Sequence, residues 1–101
     1  MEIFKDPFSD IATKEWERLK EVYSAGDEIS GVVVTQAPYG VFLDSGIGFR
    51  VLIELPNFPG ADRKIYRSMA DYPELGSEQH ANLLGFAESN RQLRATQRSE
   101  V

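Results

Sequence analysis

Between Gly31 and Leu55 the chain reads Gly-Val-Val-Val-Thr-Gln-Ala-Pro-Tyr-Gly-Val-Phe-Leu-Asp-Ser-Gly-Ile-Gly-Phe-Arg-Val-Leu-Ile-Glu-Leu, and no other stretch limits the possible folds so strongly. Three apolar runs, Ile29 to Val34, Val41 to Leu43 and Phe49 to Leu55, are rich in Val, Ile, Leu and Phe and too short for an ordinary helix. They predict three strands. Pro38-Tyr39-Gly40 separates the first pair and Asp44-Ser45-Gly46-Ile47-Gly48 the second, so turn chemistry sits at both reversals of an antiparallel meander. Glycines at such corners let strands bend, and a strongly curved sheet is expected.

Upstream, Ser9 and Asp10 follow Pro7 as N-cap candidates, and the spacing predicts a helix from about Ile11 to Ser24. Trp16, Leu19 and Tyr23 form its apolar stripe with Ile11 or Ala12 one turn earlier, while Lys14, Glu15, Glu17, Arg18 and Glu21 take the other face. That stripe must dock, and an open end of the curved sheet is the expected target. Gly26 then suits the end of the helix, because it accepts a left-handed backbone.

Downstream, Pro56 and Pro59 exclude a central strand, since each removes a ladder donor. Ala61 to Ser77 is polar with interspersed Ile65, Tyr66, Met69, Tyr72 and Leu75, which suits a long crossover with a helical turn near Lys64 to Ala70. At roughly seventeen residues it exceeds most connections, and such loops are functional or anchored by their own aromatic rings. A fourth strand is expected over Glu78 to Ala87 and a fifth over Arg91 to Arg98, joined by a turn at Glu88-Ser89-Asn90. The β pattern is weak here, with Gln79, Ala81 and Leu83 along the fourth strand and Leu93-Arg94-Ala95 in the last, and a helix over Glu78 to Phe86 is the competing reading.

At 101 residues the chain fits one domain. It contains no cysteine, which excludes disulfides and thiolate metal sites and suits a reducing cytoplasm. No apolar run approaches the eighteen or so residues that a membrane span needs. The net charge of −5 opposes general attraction to a polyanion, but its distribution is uneven. Residues 1–30 carry four basic and eight acidic side chains, whereas residues from Ala61 onward balance six against six. A local basic face is therefore confined to the second half.

Residues 31–48 resemble the first half of the S1 RNA-binding domain, the five-stranded OB-fold barrel repeated in the ribosomal protein of that name. In that family the first strand ends at an aromatic-Gly-x-Phe turn, matched here by Tyr39-Gly40-Val41-Phe42, and an Asp-x-Gly follows the second strand, matched by Asp44-Ser45-Gly46. Trp16 to Tyr23, followed by Gly26 to Gly31, is similar to the short helix and glycine-bounded lead before many such repeats. The resemblance implies a mainly β fold: an S1-like OB barrel over residues 27–101, with residues 1–26 as lead-in and docked helix, and a long connection between the third and fourth strands. It also implies weak binding of single-stranded RNA with little base preference, in a cytoplasmic setting such as translation, by a monomer without cofactor.

On such a barrel an exposed ring stacks on a base while nearby cations neutralise phosphates. The family pattern carries over to Tyr39 and Phe42 as the stacking pair; strand alternation, which puts Val41 and Leu43 together on the other side, agrees, and the competing placement turns Phe42 inward. The family's Gly-Leu-x-His-x-Ser after the third strand is replaced by Val51 to Pro56, with Glu54 at the His position, where a carboxylate would repel phosphate by on the order of 1 kcal/mol. The family's acid-and-Arg pair at the last turn is matched nearest by Glu88 with Arg91, and either Arg91 or Arg94 takes the cationic position. Arg63, Lys64 and Arg67 beside Tyr66 form the only dense basic and aromatic cluster. His80, the sole histidine, has no partner in any catalytic or metal motif, so no enzyme is expected. The rival reading is a protein-interaction scaffold that uses the acidic helix or the aromatic crossover.

Overall fold

A computed structural model describes residues 2–62 and 65–98. Helix α1 spans Asp10–Val22, capped by Ser9, whose hydroxyl accepts the Ala12 N–H at 3.2 Å. Five strands follow: β1 (Glu28–Ala37), β2 (Gly40–Asp44), β3 (Arg50–Glu54), β4 (Glu78–Ala87) and β5 (Gln92–Thr96). The second half of the chain is thus strand where a helix competed. Although Ala81 has low strand propensity, it and Leu83 fill the interior while Glu78, His80 and Asn82 face out, and that alternation outweighs propensity.

The strands close into a barrel in the order β1-β2-β3-β5-β4, antiparallel except for the parallel β3–β5 pair. Val33, Val41, Leu43, Val51, Ile53, Leu83, Leu93 and Ala95 form the interior, each at most 1% exposed. Closure of so few strands needs sharp coiling, and the register shifts between Val33 and Thr35 in β1 and between Leu83 and Gly85 in β4 supply it. Gly40 has a different role from the turn flexibility its position suggests. A Cβ there would lie 2.3 Å from the Ile53 carbonyl oxygen, so β2 and β3 approach too closely for any side chain.

Each open end is plugged by a different device. At one, α1 buries Ala12, Trp16 and Leu19, with the Trp16 ring edge-on to Phe49 at 5.0 Å and to Phe86 at 5.3 Å. Burial of each large side chain contributes about 1.5–3 kcal/mol, so this contact alone justifies the helix. Ile11 is exposed, which leaves Ala12 as the first residue of the stripe. Gly26 has φ +95°, in the turn leading to β1; the helix itself ends earlier, with Tyr23 as its cap. At the other end the crossover forms short 3-10 turns at Leu55–Asn57 and Met69–Asp71, and packs Phe58, Tyr66 and Tyr72 edge-to-face with centroids 5.0–6.2 Å apart. Tyr72 donates to the Pro38 carbonyl at 2.6 Å and Gln36 to that of Pro73 at 2.9 Å, which ties the crossover to the β1–β2 turn. The predicted helical turn near Lys64 to Ala70 is represented by Met69–Asp71 alone; Arg63 and Lys64 lie outside the described residues. No described helix is long and apolar enough to cross a membrane.

Candidate nucleic-acid interface

The outer wall of β2, β3 and β5 follows from strand alternation. With Val41 and Leu43 turned inward, Phe42 faces out, opposite Leu52 on β3, which in turn lies opposite Arg94 on β5. Phe42 stays out of the interior cluster yet is only 6% exposed, because neighbouring groups cover its ring. Tyr39, 55% exposed, stands edge-on to it with centroids 6.0 Å apart, and the Arg50 guanidinium carbon lies 5.8 Å from the centre of the Phe42 ring. Tyr39 therefore offers the open ring. Phe42 backs it and holds a cation, in an arrangement that favours charge over the ring face.

Arg50 did not stand out in the sequence, where it belongs to no cluster. The signal was its parity: two residues before Leu52 and four before Glu54, it must share their outward face once β3 is a strand. Glu54 has a partner. Arg94 donates to its Oε1 from Nε at 3.0 Å and from Nη2 at 2.6 Å, so the carboxylate in the family's His position is compensated by the arginine one strand away. Both side chains remain partly open to solvent, Arg94 at 48% and Glu54 at 36%.

Glu88 and Arg91 sit elsewhere, at the β4–β5 turn against the helix. Glu88 accepts the buried Trp16 indole N–H at 2.7 Å and a Lys20 ammonium hydrogen bond, also at 2.7 Å. The Lys20 bond first, and the Trp16 bond second, hold the Glu88 carboxyl below the usual carboxylate range, while Glu88 raises the Lys20 ammonium. Arg91, at φ +50°, donates from Nη1 to the Pro7 carbonyl at 2.9 Å and to the Thr13 hydroxyl at 2.5 Å, and its guanidinium stacks 4.5 Å from the Phe8 ring centre. These two residues fasten the lead-in and α1 to the barrel. Arg67 is exposed on the crossover, its backbone N–H donating to Asp71, whereas Arg63 and Lys64 lie outside the described residues. His80 lies on the exposed side of β4, 3.7 Å from Glu28 and 3.8 Å from Glu78. Among the described residues no group of acids and histidines converges as a metal site.

No family model matches the chain, and no curated protein matches it in sequence. Solved structures do. GSP13 of Bacillus subtilis superposes with a TM-score of 0.62 at 15% identity, over 73% of this chain and 55% of that one. The chain has the OB fold. A chain of the a/eIF2alpha-aDim2p-rRNA complex of Pyrococcus horikoshii OT3 gives 0.62 at 17% identity, over 75% of this OB-fold chain and 45% of its own length. A putative exosome complex RNA-binding protein gives 0.62 at 18%, over 76% and 44% respectively. The OB-fold chain thus spans about half the length of these structures.

Proposed function

We propose that this barrel binds single-stranded RNA weakly and with little base preference. The reading rests on one arrangement: the half-exposed Tyr39 ring stands on Phe42 with Arg50 on the same ring. Tyr39 stacks a base, Phe42 keeps that ring upright, and Arg50 together with Arg94 meets the sugar-phosphate chain. Two of the similar structures are described by RNA, one as an RNA-binding protein and one as a complex containing rRNA, which supports nucleic acid as the ligand class. Arg67, exposed on the crossover, adds a further phosphate contact in this reading, and the same role is proposed for Arg63 and Lys64, which lie outside the described residues. Glu88 acts through the fold and not on the strand. The protein is read as a binding module and not an enzyme, and its cysteine-free composition supports a cytoplasmic setting.

Labelled single-stranded RNA tests this. Amide signals of residues 38–44, 50–54 and 92–96 should move, and the shifts should weaken as salt rises. Silence there at millimolar RNA rejects the proposal. A protein partner is the second reading, favoured by Ile11 and Val22, which stand 75% and 57% exposed on an acidic helix. A partner retained after nuclease treatment, with no RNA recovered, selects it.

A further inference from the structure

At Arg50 the wall borders a cavity of about 130 Å³, lined by residues of the lead-in and of the β2–β3 and β4–β5 turns. Its volume is well above the roughly 10–15 Å³ that a single water needs. Three of its lining residues are cations, Lys5, Arg50 and Arg91, and none is an acid, in a chain whose net charge is −5. Asn90 and Gln92 add side-chain amides. Such a concentration of one sign in a recess focuses the local potential on anions.

Two of these three charges, Lys5 and Arg50, are not consumed by the fold, and the third is only partly so. Lys5 and Arg50 make no ion pair among the described residues. Asp44 lies opposite Arg50 across the β2–β3 ladder, but its Oδ1 accepts the Gly46 N–H at 2.9 Å; Asp6, beside Lys5, accepts the Phe8 N–H in the same way. Arg91 feels Glu88, spends Nη1 on Pro7 and Thr13, and leaves its buried Nε–H without an acceptor among the described residues. The lead-in is pinned beside this recess by the Phe4 N–H, which donates to the Gly48 carbonyl at 2.8 Å, and by the Phe4 ring 5.3 Å from Phe49.

We infer that this cavity is a phosphate-binding subsite, reached from the Tyr39 face through Arg50, which belongs to both. The source of the phosphate rests on the RNA reading above: a strand whose base stacks on Tyr39 passes Arg50 and sets a phosphate between Lys5, Arg50 and Arg91. Lys5 is exposed and makes no bond that the fold uses, so Lys5→Gln leaves the barrel intact, as a thermal melt checks.

Inorganic phosphate, titrated into the full chain, should move amides of residues 3–6, 48–50 and 90–92 while leaving Tyr39 and Gly40 still. A single-stranded oligoribonucleotide should move both groups. In K5Q the log-log salt slope of RNA binding should fall by about 0.7, the share of one phosphate on a single strand, and affinity should fall a few-fold. Absence of phosphate shifts at the cavity, together with an unchanged slope in K5Q, overturns the subsite while RNA shifts at residues 38–44 keep the RNA reading. Phosphate shifts at the cavity with no RNA shifts anywhere sustain the anion site and remove the RNA reading.

Discussion

Arginine and glutamate meet in two regions of this barrel, and they do different work in each. At the β4–β5 turn Glu88, its own side chain 59% exposed, holds the buried Trp16 indole and Lys20 while Arg91 clasps Pro7, Thr13 and Phe8, so both side chains tie separate segments of the fold together. On the outer wall Arg94 and Glu54 pair across two strands with both heads partly in water, and Arg50 stands over the Phe42 ring with no ion pair among the described residues. An acid-and-arginine pair is therefore not a binding signature in itself. What separates the two is whether the donors are already spent on buried partners.

The contrast is sharpened first by the largest effect. Trp16→Ala opens a cavity under the helix, and should cost about 3–5 kcal/mol in urea unfolding. Tyr39→Ala should leave stability within about 0.5 kcal/mol, as expected for a surface substitution, and lower RNA affinity by the roughly 1–3 kcal/mol of one base stack, read by fluorescence anisotropy. A Tyr39→Ala protein that unfolds early, or that binds RNA normally, would break the distinction between the two regions.

The first half of the barrel was legible because three short runs rich in Val, Ile, Leu and Phe flank two glycine-marked reversals, and the bounds of β4 were legible despite its small side chains. The end cap was legible from Trp16 and Leu19. What alternation could not supply was the use of each arginine, since a one-dimensional pattern fixes the face of a strand but not the partners across it. Glu88 and Arg91 looked like a ligand pair because they match the acid and arginine of the S1 pattern at the last turn; their partners, Trp16 and Thr13, lie 72 and 78 residues away. Arg50 was passed over for the same reason. Its meaning comes from Phe42 on the adjacent strand, whose ring it shares with Tyr39.

Smaller effects refine the comparison. Glu88→Gln removes the charged partner of Lys20 and should cost up to about 1 kcal/mol, without weakening RNA binding. Glu54→Gln should leave stability nearly unchanged and raise RNA affinity a few-fold, because it releases Arg94 and removes a negative charge from the wall; unchanged affinity would place that pair outside the bound strand. The smallest effect is in acid. Because Lys20 and Trp16 depress the folded-state pKa of Glu88, its contribution is present above the ordinary carboxylate pKa and is lost as pH falls through the depressed value. Thermal melts of wild type and E88Q should therefore differ at neutral pH and converge on acidification.

The most direct measurement compares labelled single-stranded RNA binding to Y39A and E88Q under one salt condition. The wall as binding face predicts a loss of about tenfold or more for Y39A, the equivalent of one lost stack, and affinity within about twofold of wild type for E88Q. Equal affinity of Y39A and wild type, or a loss confined to E88Q, contradicts it.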